Sequence, residues 1–217
     1  MSNAAESATA TTSSSFLRGR VASLLAIAPL GVWTCNHLWN NLSAFQSADA
    51  WEKSVTEYAH PLAQMFTGIL VLVPLMLHTV WGMGRLFTSR SNVSSYPMWE
   101  NVKYLVQRLS AIGVLFFLGA HIFKAMIEPR LKTGHGERFV DIAWHMRHHP
   151  PTLVVYILGT LAVAYHLANG IATFAMSWGL VASKASLRKS EWLNWTAFAI
   201  LLAMSWGSIY AMWVAGA

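Results

Sequence analysis

The sequence predicts an all-α, polytopic membrane protein with five transmembrane helices, and three observations carry that prediction. Five apolar stretches reach the roughly 20 residues that a helix rising ~1.5 Å per residue needs to cross a hydrocarbon core of ~30 Å. Only 11% of the 217 residues are charged while 55% are hydrophobic, and few soluble folds of this length could hide so much apolar surface. All nine acidic residues fall outside the five stretches, as the cost of burying a carboxylate in lipid requires.

Taken in order, residues 1–20 (MSNAAESATATTSSSFLRGR) are polar and rich in Ser, Thr and Ala, and read as a disordered tail. A cleaved signal is disfavoured, because no basic segment opens the chain and the first apolar run is long for a signal core. Residues 21–217 then form one membrane domain. Its spans are Val21 to Asn41, Pro61 to Leu86, Tyr104 to Ile127, Pro151 to Trp178 and Trp192 to Val214. Trp39, Trp51, Trp99, Trp144, Trp178, Trp192 and Trp213 lie near span ends, where indole rings anchor at the interface. If the N-terminus is cytoplasmic, nine of the fifteen basic residues are inside: Arg18, Arg20, Arg85, Arg90, Lys103, Arg108, Lys184, Arg188 and Lys189. Six are outside, five of them from Lys124 at the outer end of span three through the long loop to span four. Because Lys and Arg are retained on the cytoplasmic side, the expected topology is N-inside, C-outside, in the cell (inner) membrane. The basic residues form no aromatic-interleaved stripe on a soluble domain, which excludes a nucleic-acid module.

Four of the nine histidines, His37, His78, His121 and His166, lie inside four different spans. His37 and His121 come 16 and 17 residues along outward-going spans, a rise of about 24–26 Å that brings both toward the outer surface. His78 and His166 come as deep into inward-going spans and share a level near the cytoplasmic face, offset from the first by something on the order of 10–20 Å. One buried histidine in a bundle is often only a hydrogen-bonding partner of a neighbouring helix. Four on four helices at two matched levels point instead to two metal-centred groups, each gripped by two helices. Two protein ligands are too few for zinc, which takes three or four. A haem supplies the missing four nitrogens, and two axial imidazoles leave no open coordination position, so the chemistry expected is electron transfer. Gly31, Gly82, Gly113 and Gly159 fall near the histidine faces, either as room for a planar group or as helix-contact residues. The single cysteine, Cys35, cannot form an internal disulfide and reads as a small packing residue; without a CxxCH motif, haem would be held non-covalently.

The segments FLRGRVASLLAIAPLGVWTCNHLWN, PLAQMFTGILVLVPLMLHTVWG, LVQRLSAIGVLFFLGAH and YILGTLAVAYHLANGIATFAMSWG resemble the single-chain, five-helix, diheme cytochrome b membrane anchor of succinate dehydrogenases and fumarate reductases. Further echoes are Gln107-Arg108, Asn169-Gly170 and Trp178-Gly179. The resemblance implies a haem-binding bundle of spans one to four and two b haems. His37 and His121 would hold the distal haem, and His78 and His166 the proximal one. It implies a role as membrane anchor and electron-transfer subunit of a succinate:quinone oxidoreductase. Partners would be a flavoprotein and an iron–sulfur subunit on the cytoplasmic side, with membrane lipid around the chain and menaquinone the expected quinone; higher oligomers are open. The succinate chemistry would lie outside this chain, which has no GxGxxG fingerprint and too few thiolates for a cluster. The alternative is a bis-histidine cytochrome b of another quinone-linked complex, such as a formate dehydrogenase or hydrogenase; a transporter or purely structural protein is the third class.

Two departures bear on direction and site. Where some fumarate reductases of the family carry a glutamate two residues before the fourth haem histidine, this chain has Ala164, which favours succinate:quinone reduction over proton-compensated quinol oxidation. The family's other acid, before the second span, maps loosely onto Glu52, with Glu57 and His60 close by. These are the candidate proton donors to quinone, against ordinary loop solvation. Arg108, and Arg18 or Arg20, are at a plausible depth for haem propionates, against the simpler role of topology-setting cations. His145, His148 and His149 in WHMRHHPP lack carboxylate or thiolate support and read as solvated loop or partner contact.

Overall fold

The computed structural model describes residues 16–57, 61–88 and 90–217. Among the described residues, five helices are long and apolar enough to cross a membrane: α1 (Phe16–Phe45), α2 (Met65–Thr88), α3 (Trp99–Thr133), α5 (Pro150–Ser177) and α6 (Lys184–Ala215). Between α3 and α5 lies the shorter α4 (Phe139–His148). Helices are the expected solution, since every backbone N–H and C=O within lipid must be satisfied inside its own segment. The chain is therefore an all-α, multi-pass membrane protein with five apolar spans.

The helices overrun the apolar stretches, because a helix continues through the polar interface where hydropathy no longer marks it. Residues 16–20 of the expected tail already belong to helix α1. Arg20 there lies over the rings of Phe16 and Trp178 (4.6 and 5.0 Å to the centroids). The largest difference lies between α3 and α5, where a polar loop was expected. Residues 139–148 instead form α4, whose Phe139, Ile142, Ala143 and Met146 are buried. With Trp51, Ala44, Ile209, Ala211 and Met212 they build one apolar core. Trp51 is accordingly no interfacial anchor: it is 3% exposed and its Nε1 donates to Asn41 Oδ1 at 3.0 Å. A second core joins Leu38, Ala164, Ala168 and Leu201 of α1, α5 and α6.

Three spans contain a widened, i→i+5 turn, and each lies beside a proline. The turns are Ala26–Gly31, which contains Pro29, Gly68–Leu72 just before Pro74, and Phe123–Ile127 just before Pro129. Proline has no N–H to give to the carbonyl four residues earlier and its ring crowds that carbonyl, so the backbone relaxes by widening. Helices α5 and α6 have no interior proline and run 28 and 32 residues as regular helix, α5 with its prolines at the tolerated first positions. Helices α5 and α6 pack along each other and α3 along α5, whereas α2 touches α1 and α3 lightly. None of Val73–Thr88 in α2 is buried.

Candidate metal centres

The four intramembrane histidines meet in two pairs. His37 of α1 and His121 of α3 have ring centres 6.0 Å apart with planes at 61°. His78 of α2 and His166 of α5 have ring centres 6.2 Å apart at 72°. All four are partly buried.

Three of the four rings are seated by further neighbours. One turn before His37, Trp33 stacks on it at 4.7 Å and 9°; one turn after, Asn41 Nδ2 donates to the His37 carbonyl at 2.8 Å. His121 is stacked by Phe117 at 5.4 Å and 19°, and its Nδ1 lies 3.1 Å from the Tyr156 hydroxyl of α5. His166 Nδ1 lies 3.3 Å from Gln107 Nε2 and 3.4 Å from Ser110 Oγ, both on α3. Trp33, Phe117, Ser110 and Tyr156 were not singled out from sequence. The first three share an available signal: each lies on a helical face with a histidine or its neighbours, at a spacing of three or four residues or across a contact made by one.

The glycines divide. A Cβ on Gly159 would collide with the Phe117 ring that stacks on His121, on Gly113 it would meet Ala162 Cβ at 3.0 Å, and on Gly31 the Leu167 side chain at 3.3 Å. These three bring helices together, while a Cβ on Gly82 would meet nothing within 4 Å. Cys35 is exposed on α1 and does not pack in the interior.

Near the start of α3, Arg108 Nη1 donates to the Arg85 carbonyl of α2 at 3.1 Å and its guanidinium lies over the Tyr104 ring at 4.2 Å. The Nε atoms of Arg108 and Arg20 are buried without a hydrogen-bond partner. Arg18 lines a cavity of about 420 Å³ with Gly19, Trp81, Gly84, Arg85 and Thr88. Between α1 and α4, Glu52 Oε1 accepts the backbone N–H of Phe139 at 2.9 Å, fastening the start of α4. Glu57 is exposed, and His60 lies outside the described residues. In the loop before α4, burial pushes the Glu137 carboxyl up to about 8, with Asp141 adding, Lys124 opposing and Glu128 adding. His145, His148 and His149 belong to α4 and its end, not to an open loop: His145 Nδ1 is 2.7 Å from Asp141 O, His148 Nε2 is 2.9 Å from Gly216 O, and His149 caps α5 through Thr152. Among the described residues, no three His, Cys, Asp or Glu side chains gather as a metal site.

Five spans whose two intramembrane contacts between histidines each join two different helices define a polytopic membrane protein with paired imidazole sites. Residues 90–206 match the family model described as succinate dehydrogenase/fumarate reductase transmembrane subunit. The chain is also 27% identical over 197 residues to the succinate dehydrogenase cytochrome b558 subunit of Bacillus subtilis (strain 168), covering 88% of this chain and 94% of that one. The chain belongs to the succinate dehydrogenase/fumarate reductase transmembrane subunit family.

Proposed function

We propose that this chain is the membrane anchor and electron-transfer subunit of a succinate:quinone oxidoreductase, holding two b haems through His37 with His121 and His78 with His166. The observation that carries the reading is the spacing of the rings. With a metal–imidazole bond of about 2.0–2.1 Å and a ring radius of ~1.1 Å, two imidazoles sharing one iron would have centres about 6.2 Å apart. The two pairs stand at 6.0 and 6.2 Å, so the donor set fits the group in separation as well as chemistry. Bound there, haem supplies reversible one-electron transfer.

The residues of the chain do the rest. Each histidine pair would hold its haem with two imidazoles and so would keep oxygen and substrate off the metal. Tyr156 and Ser110 contact the Nδ1 atoms of His121 and His166, which would leave Nε2 to hold the metal. The buried, unpartnered Nε of Arg108, with that of Arg20, offers a donor for propionate oxygens, the group that most needs one in an apolar setting. Glu52, Glu57 and His60 remain the acids of a quinone site at the outer end, with Glu52 also fastening α4. A flavoprotein and an iron–sulfur subunit would dock on the cytoplasmic side, with the N-terminus inside. Ala164 is fully buried between α1 and α6, so no ionisable group stands at that position of α5, and succinate oxidation coupled to menaquinone reduction is the favoured direction.

The test is purification of the intact complex from membranes, with haem quantified per anchor chain and succinate:quinone activity assayed in the same preparation. Two b haems per chain and a co-purifying flavoprotein are expected. A colourless preparation, or one haem per chain, refutes the reading.

A further inference from the structure

The two histidine pairs are supported differently, and the support of His166 is the more elaborate. The Ser110 hydroxyl donates to the Gln107 carbonyl at 2.8 Å, so its proton is committed and its lone pairs are free to accept from His166 Nδ1 at 3.4 Å. Gln107 Nε2 also stands 3.3 Å from Nδ1 but, being a donor, cannot accept its proton and is committed to the His166 carbonyl at 3.1 Å, while Gln107 Oε1 accepts from Asn169 Nδ2 at 3.0 Å. Ser110 and Asn169 are each 7% exposed. Two apolar helices thus bring several polar groups to one point, where each would be costly unmatched.

We propose that Ser110, held in place by Gln107 and Asn169, is a positioning residue that fixes the tautomer of His166 and lowers the reduction potential of the metal bound by the inner pair. The inference rests on the bis-histidine haem reading above. An Nδ1–H directed at an acceptor pushes electron density toward Nε2 and makes it a stronger donor, and a stronger axial donor favours the oxidised metal. At His121 the neighbour of Nδ1 is a phenol 3.1 Å away with no comparable amide network behind it among the described residues, so the two haems would be tuned apart by their surroundings as well as their depth. The competing account is that the network only glues α3 to α5.

Redox titration of the purified complex, followed optically, separates the accounts. The inner haem is assigned by the bands lost in His78→Ala. In Ser110→Ala its one-electron equilibrium is expected to move about tenfold toward the reduced form, ~59 mV upward, with the outer haem unmoved. Ser110→Thr, which keeps the hydroxyl, restores the original potential. Gln107→Met, close in volume but without the amide, moves the inner haem in the same direction. The proposal is overturned if Ser110→Ala holds both haems with unchanged potentials, or if both potentials move alike. Should Ser110→Ala not accumulate, Gln107→Met decides, and an unmoved inner potential overturns the proposal. Absence of haem from the unmodified complex would instead sink the functional reading itself.

Discussion

His37 and His121 lie 84 positions apart in the chain yet stand with ring centres 6.0 Å apart, and substitutions there should act on one metal site while sparing the other. His37→Ala or His121→Ala is expected to remove the outer haem, and His78→Ala or His166→Ala the inner one, each halving haem content by pyridine haemochrome assay. Loss by any other pairing, such as His37 with His78, contradicts the arrangement. Gly159 is as exacting as a ligand, because its missing Cβ is the space filled by Phe117. Gly159→Ala should cost about 1–3 kcal/mol through overpacking, seen as a lower melting temperature in detergent with preferential loss of the outer haem. The histidines were legible because an ionisable group in an apolar span has few reasons to be there. Tyr156 and Phe117 were not, since an aromatic residue in a membrane helix is ordinary until the histidine it touches is known. The outer acids show the same limit in reverse: Glu52 fitted a proton donor by type, but its oxygen also secures a backbone amide 87 residues away.

At the scale of elements, α4 is where reading by hydropathy ran out. Its apolar side is Phe139, Ile142, Ala143 and Met146, too short a stripe to announce itself among Arg138, Asp141, His145, Arg147 and His148. It is held from outside itself, since Arg138 provides no side-chain cap and Glu52 accepts the Phe139 amide instead. Glu52→Ala should therefore destabilise the α4 start by about 1 kcal/mol, measured as faster hydrogen exchange of the 139–142 amides. Glu137, one loop away, gives this region a pH dependence. Its carboxyl is held near 8 in the fold by burial, against an ordinary value of about 4.3. The folded state thus binds more protons between those values, and stability is full below the ordinary carboxylate range and falls as pH rises through about 8. Exchange protection of α4 should decline from pH 5 to pH 9, and Glu137→Gln should flatten that decline; an unchanged profile would rule out Glu137 as its source. The proline-linked wide turns were equally invisible, because composition shows the proline but not how the helix around it accommodates the missing N–H.

Across the whole molecule the spans fall into a regular pair, α5 and α6, and a trio with wide turns beside prolines, α1 to α3. Their number and order were legible because hydrocarbon thickness leaves little choice; how they pack was not, because lipid offers no hydrophobic gradient to sort one face from another. Helix α2 contributes His78 while burying nothing between Val73 and Thr88, so its seat depends on what His78 binds. In membranes from haem-starved cells, α2 should be cleaved by added protease well before α5 or α6, and haem restoration should protect it. Equal resistance of the three helices would show that packing alone suffices. The stacking of Trp33 on His37 at 4.7 Å has an optical corollary. On the proposed haem reading, an indole in van der Waals touch with a porphyrin ligand would surrender its excitation by energy transfer, so that ring would stay dark while the His37–His121 site is loaded and brighten when it empties. The difference in emission between Trp33→Phe and the parent chain then becomes a built-in gauge of occupancy for that site alone.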